Sequence, residues 1–171
     1  MAKALTFLLR SSVLCLAFLL SLTAAAKGGD DEIVKPGMPL PAFNVSVEGG
    51  GRISNFAMLG RPAVIVLFNT ACHDCRRELP LVQQLYADYK DKAGFVCIAR
   101  NDSADAVRAF WNGNGLTLPV SPQTDKAVYS LFARRTIPRI YVADGNGIVR
   151  AVYVEKVSKR KLRKMLDTLL Q

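Results

Sequence analysis

A chain of 171 residues, half of them hydrophobic, supports one domain with a real core and shows no sign of a second. Its net charge of +9 comes without aromatic interleaving or a nucleic-acid motif. The excess therefore argues against a nucleic-acid binder, and for solubility and weak steering toward acidic partners or an anionic membrane surface.

The first stretch is not part of the core. Lys3 and Arg10 accompany an apolar beginning, Ser11 to Leu22 is almost wholly apolar, and Thr23-Ala24-Ala25-Ala26 offers small residues for cleavage. Residues 1–26 read as a secretory signal peptide. Their apolar run of about a dozen residues is short of the roughly 20 that span a bilayer, so a retained anchor is the lesser reading. Cys15 follows the bulky Leu14, which disfavours a lipoprotein site. Export leaves Cys72, Cys75 and Cys97, an odd set that suits one reactive pair and one bystander better than a framework of bridges.

Residues 27–42, polar and then rich in proline (Pro36, Pro39, Pro41), read as a linker or extended lead-in to a domain over 43–171. Phe43 to Val47 and Arg52 to Phe56 flank Gly49-Gly50-Gly51 as a hairpin. Ala63 to Phe68 is a continuous apolar run with the composition of a strand buried on both faces. After Cys72-His73-Asp74-Cys75, the spacing of Leu79, Val82, Leu85, Tyr86 and Tyr89 predicts a helix ending near Gly94, with Pro80 inside it. Gly94 to Ala99 reads as a strand in which Cys97 acts as a small hydrophobe. A helix over Asp102–Trp111, capped by Ser103 or Asp102, a short strand near Leu118–Val120 and a helix over Asp125–Arg134 come next. Ile140–Ala143 and Ile148–Val154 flank Asp144-Gly145-Asn146-Gly147, a strong hairpin signal. The last helix starts near Ser158 and buries Leu162, Met165, Leu166, Leu169 and Leu170. Trp111 and Tyr129 read as core, and the basic residues from Lys159 to Lys164 as a solvated helix face.

The two cysteines stand where a core strand gives way to a helix. Unpaired N–H groups of the first helical turn favour the thiolate of the first sulfur, the form that attacks disulfides. A structural disulfide in so tight a loop gains little from closure. Zinc lacks a fourth ligand and a second knuckle. A cysteine protease would need its general base elsewhere than on the adjacent His73, the sole histidine.

The two-cysteine turn, the proline-bearing helix and Thr136-Ile137-Pro138 opening a final hairpin resemble the thioredoxin fold. More narrowly, the segment Cys72-His73-Asp74-Cys75-Arg76-Arg77-Glu78-Leu79-Pro80 is similar to extracytoplasmic thiol–disulfide oxidoreductases of the TlpA/ResA type. The resemblance covers most of residues 36–171. It implies a thioredoxin-like three-layer α/β/α fold with a central mixed sheet, an N-terminal β-hairpin extension and an inserted strand–helix segment. It also implies that Cys72 attacks, that Cys75 resolves, and that Pro138 is a cis-proline freeing the Ile137 backbone to pair with substrate. Glu78 would be the acid near the buried thiol, the alternative being a helix-surface charge. His73 reads equally as a tuner of the thiol or a solvated turn residue. Ala71 stands where the family usually has tryptophan, and Val66 where thioredoxin has a buried aspartate, which reshapes the substrate-facing surface and shifts proton handling to Glu78, His73 or water. Arg76, Arg77, Arg134, Arg135 and Arg139 add positive charge around the site.

The function implied is an exported, periplasmic or otherwise extracytoplasmic enzyme exchanging disulfides with protein substrates, as reductant, and recharged by a membrane or exported redox partner. A monomer without flavin, haem, nucleotide or metal is expected. Two alternatives stand beside it. A peroxiredoxin-type thiol peroxidase wants threonine and proline where Asn69 and Ile65 stand, and a thioredoxin-like binding module would carry inert cysteines.

Overall fold

The computed structural model describes residues 31–171; the signal-peptide reading of residues 1–26 lies outside them. Two short strands, β1 (Asn44–Ser46) and β2 (Arg52–Ser54), form an antiparallel hairpin. The expected hairpin is present with shorter strands, because Gly49, Gly50 and Gly51 all take positive φ and widen the turn.

The main sheet holds β3 (Ala63–Phe68), β4 (Gly94–Ala99), β5 (Val120–Ser121), β6 (Arg139–Ala143) and β7 (Val149–Val154), in the order β5-β4-β3-β6-β7. Strands β3, β4 and β5 run parallel, while β6 and β7 are antiparallel to their neighbours. Both central strands, β3 and β4, are buried at every residue, which is why they read as unbroken apolar runs. Between strands lie the helices α1 (His73–Tyr89) and α2 (Ala104–Gly113), and α3 (Lys159–Leu169) follows β7. The result is a three-layer α/β/α thioredoxin fold with a central mixed sheet, an N-terminal two-strand extension and inserted strand and helix elements.

Alternation along each strand divides the core in two. Val64, Val66 and Phe68 face α1, α2 and α3, meeting Leu79, Leu85, Trp111, Leu162 and Leu166. Ile65 and Leu67 face the other way, toward Val34, Phe43, Tyr129, Phe132 and Tyr141. That second face is covered by the lead-in, the β1–β2 hairpin and a 3-10 turn at Tyr129–Leu131. Residues 31–42 lie against it as an irregular segment with a turn at Lys35–Met38, with Val34 and Leu40 buried and isolated bridges joining Glu32 to Ala133 and Pro39 to Ile148.

The helix expected over Asp125–Arg134 is a correction. The Asp125 carboxylate accepts from the Ala127 N–H at 2.8 Å, an Asx turn that competes with helical pairing. Downstream, only a 3-10 turn over Tyr129–Leu131 forms, and the Phe132 carbonyl accepts from Ile33 N–H and Val34 N–H at 3.1 and 3.0 Å, tying the segment to the lead-in. The helices themselves match expectation closely. Ser103 caps α2, its hydroxyl accepting from Ala106 N–H at 3.2 Å, and Ser158 caps α3. In α3 the buried residues are Leu162 and Leu166, while Leu170 is exposed. The basic face of α3 is partly engaged: Lys159 donates to Gln84 at 2.6 Å and Arg163 pairs with Asp88, both on α1.

Candidate active site

Strand β3 ends at Phe68, and Asn69-Thr70-Ala71 carries the chain to Cys72 at the N-cap of α1. This turn is held from several sides. Asn69 accepts from the Ala71 N–H at 2.9 Å through its side chain and donates to the Arg100 carbonyl at 2.9 Å. The buried Asp102 accepts from the Thr70 N–H at 2.6 Å and from its hydroxyl at 2.9 Å. Asp102 was a candidate helix cap; it serves the cysteine loop instead. Arg76 Nε donates to the Thr70 carbonyl at 2.7 Å.

The two thiols differ in surroundings. Cys72 is partly exposed and Cys75 is fully buried; both are free. The Cys75 N–H donates to Cys72 Sγ at 3.3 Å, one of the first-turn N–H groups that helix geometry leaves unpaired. On its other side, Cys72 Sγ lies 3.8 Å from the Ile137 carbonyl. Burial pushes the Cys75 thiol far up, reinforced by the neighbouring Cys72 and opposed by the Asn69 backbone and by Arg100. Cys97, also free, is buried in β4 and its thiol is pushed up by burial alone, as expected of a core cysteine.

The Ile137–Pro138 bond is cis. Pro138 is buried while Ile137 is half-buried beside Cys72, so the turn and the Thr136–Pro138 segment meet at one end of the sheet. His73 projects into solvent with 91 % of its side chain exposed, and its Nδ1 lies 3.6 Å from Asp74. The Arg77 guanidinium, 2.8 Å away, holds the Asp74 carboxyl below its ordinary value. Ala71 is exposed.

Glu78 is buried, one helical turn beyond Cys75, not on the helix surface. Its carboxylate accepts from Arg77 Nε at 2.8 Å and from the Val157 N–H at 3.1 Å, joining α1 to the β7–α3 connection. Arg139 is the second correction. It adds no surface charge: the side chain is 2 % exposed and lies between Asp31 Oδ2 at 2.8 Å and Glu32 Oε1 at 3.3 Å. Asp31 also accepts from the Thr136 hydroxyl and N–H, at 2.6 and 3.1 Å. Sequence reasoning did not find this clamp, because nothing in the spacing connects residue 31 to residue 139.

Among the described residues, no group of three or more His, Cys, Asp or Glu is disposed to hold a metal. No helix there is long and apolar enough to cross a membrane.

A dithiol at a strand-to-helix turn facing a cis-proline segment invites comparison with known proteins. The family model described as AhpC/TSA matches residues 36–152. The chain belongs to the AhpC/TSA family. Within its thioredoxin-fold breadth, the chain is related to ResA/TlpA/DsbE-like extracytoplasmic thiol–disulfide oxidoreductases. It is 26 % identical over 134 residues to the thiol–disulfide oxidoreductase ResA of Bacillus anthracis, covering 78 % of each chain. The thioredoxin-like protein YneN of Bacillus subtilis is 25 % identical over 137 residues, covering 78 % of this chain and 80 % of YneN. Among solved structures, a thiol:disulfide interchange protein from Chlorobium tepidum superposes with a TM-score of 0.70 at 26 % identity, covering 81 % of this chain and 99 % of that one. Together with the Cys72–Cys75 pair, this kinship supports enzymatic thiol–disulfide redox activity and an exported location.

Proposed function

We propose that this protein reduces disulfides of exported proteins, with Cys72 as the attacking sulfur and Cys75 as the resolving one. The observation that carries the reading is the asymmetry of the pair: Cys72 is partly exposed with an N–H directed at its sulfur, whereas Cys75 is buried with its thiol pushed up. In the first step the Cys72 thiolate attacks one sulfur of the substrate disulfide. The substrate S–S bond breaks, a Cys72–substrate disulfide forms, and the departing thiolate takes up a proton. In the second step Cys75 gives up its proton and attacks Cys72. The mixed bond breaks, the Cys72–Cys75 disulfide forms, and the substrate leaves with two thiols, having gained two electrons. A reduced partner in the same compartment returns the pair to the dithiol.

The high Cys75 thiol keeps the resolving sulfur protonated until the mixed disulfide exists. Glu78, on the same helix and equally buried, is the residue we assign to moving that proton. The Ile137 backbone beside cis-Pro138 would pair with an extended substrate segment, and exposed Ala71 and His73 would border it. Residues 1–26 would direct export and be removed, leaving a periplasmic or otherwise extracytoplasmic monomer, with any membrane contact weak and electrostatic.

Peroxide reduction is the second reading that the family name raises. Among the described residues, the Cys72 sulfur meets the backbone of Cys75 and Ile137 and the Cys75 thiol, with no side-chain hydroxyl among its partners. That arrangement favours disulfide exchange. The test is a Cys75→Ser variant mixed with a disulfide-bonded protein substrate. A stable mixed disulfide through Cys72 is expected, and its absence, or peroxide turnover far outpacing exchange, overturns the proposal.

A further inference from the structure

We infer that a rim of arginines around the dithiol selects substrates whose disulfide lies within an acidic, extended segment. The inference rests on the exchange reading above and names the substrate class it would favour.

The first turn of α1 and two loops meet around Cys72, and each carries cations. Arg76 lies in that first turn, Arg100 follows β4 beside the cysteine loop, and Arg134 and Arg135 precede Thr136-Ile137-Pro138. These loops are joined by their own hydrogen bonds. The Arg100 carbonyl accepts from Asn69, and Arg100 Nη1 donates to the Arg135 carbonyl at 2.7 Å. Arg76 donates to Thr70, two residues before Cys72. Carbonyls and aromatic faces hold these side chains: the Arg100 guanidinium lies 4.4 Å from the Tyr129 ring centre and Arg76 5.9 Å from that of Phe110. Among the described residues, neither Arg76, Arg100 nor Arg134 makes an ion pair. Arg135 is 77 % exposed, and its nearest carboxylate, Asp31 at 3.9 Å, is already engaged by Arg139 and Thr136.

The acids at this end offset only part of that charge. Asp74 and Glu78 share Arg77, Asp31 and Glu32 share the buried Arg139, and Asp102, held in the interior by Thr70, keeps its own negative charge. Two exposed acids stand nearby: Glu155, whose N–H donates to the Pro138 carbonyl, and Asp125, whose carbonyl accepts from Asn101. Each is followed by a lysine, Lys156 and Lys126. Guanidinium groups fixed by neutral partners keep their full charge and lose little further freedom on binding a carboxylate. In an extended segment, residues two or three positions from the cysteine lie roughly 7–10 Å from it, within reach of long side chains on neighbouring loops.

The test uses three synthetic peptides, each with one intramolecular disulfide, flanked by glutamates, serines or lysines. Rate constants for oxidation of the reduced protein are divided by those for dithiothreitol, which removes each peptide's own reactivity. The glutamate peptide is expected to react about tenfold faster than the lysine peptide at low ionic strength, with serine between them. At about 0.5 M salt the ratio should fall to roughly twofold, as screening shortens the reach of the charges. A double Arg134→Ser/Arg135→Ser variant should lower the low-salt ratio about threefold, whereas Arg160→Ser/Lys161→Ser on α3 should leave it unchanged. Equal rates for the three peptides, or a ratio indifferent to salt and to the Arg134/Arg135 change, would overturn the rim while leaving exchange intact. Failure of every peptide to react would overturn the exchange reading itself.

Discussion

Asp31 and Arg139, 108 residues apart in the chain, form an ion pair at 2.8 Å one position past the cis-proline. The carboxylate also caps the Thr136 N–H and hydroxyl, so the lead-in holds the segment whose Ile137 carbonyl lies against Cys72. A cation buried to this degree is costly without a partner, and the lead-in supplies one.

Stability should therefore depend on pH through Asp31. Burial opposes ionisation there, but the Thr136 bonds and Arg139 outweigh it and hold the carboxyl at about 2, below its ordinary 3.8. A lowered folded-state value stabilises the protein above the unfolded value, and that contribution drains away between about pH 4 and pH 2, amounting to about 2 kcal/mol at most. Denaturant melts of wild type and Asp31→Asn should differ at pH 6, with the gap narrowing below about pH 4 and closing only below about pH 2. A constant gap across that range would sink the assignment.

Alkylation should separate the thiols. Iodoacetamide at pH 7–8 is expected to label Cys72 alone in the folded, reduced protein, because Cys75 and Cys97 are buried and their thiols are pushed up. Denaturation should then open the other two. Mass spectrometry reads the pattern, and equal labelling of Cys72 and Cys75 at early times contradicts the asymmetry.

Glu78 couples α1 to the β7–α3 connection beside the site. Glu78→Ala strands the buried Val157 N–H and should cost about 1–3 kcal/mol. Glu78→Gln keeps an acceptor there and should retain most of that stability. If the carboxylate moves the Cys75 proton, Glu78→Gln prolongs the mixed disulfide and alters the pH profile of its resolution. A resolution rate equal to wild type across pH leaves Glu78 a purely structural tie.

Asp102 positions the cysteine loop through Thr70. Asp102→Ala leaves the Thr70 N–H unpaired in a buried place, with a loss of about 1–3 kcal/mol. Hydrogen exchange at Thr70 and Ala71 should accelerate more than at β4 amides such as Ile98. Uniform acceleration throughout the sheet would mean a general loss of stability instead of a loosened loop.

The same pattern explains what was legible beforehand. Ala63–Phe68 and Gly94–Ala99 could be recognised as central strands because burial on both faces demands apolar side chains throughout. Ser103 and Ser158 marked helix starts because capping is a local bond. The Asp125–Arg134 segment misled because its apolar spacing suits a helix, while Ile33 and Val34, nearly a hundred residues earlier, bind its carbonyl. Glu78 could be read from the chain as the acid near the buried thiol, with a helix-surface charge as the alternative, and packing decided between buried and exposed.

Local order along the chain was enough to establish the dithiol at a strand-to-helix junction and the sheet's apolar centre, since adjacent residues alone specify each. Which arginine carries a free charge and which is buried, and which acid holds the cis-proline segment, depended on contacts between distant segments. Such contacts arise from the shape of the packed sheet, and residue spacing carries no record of them.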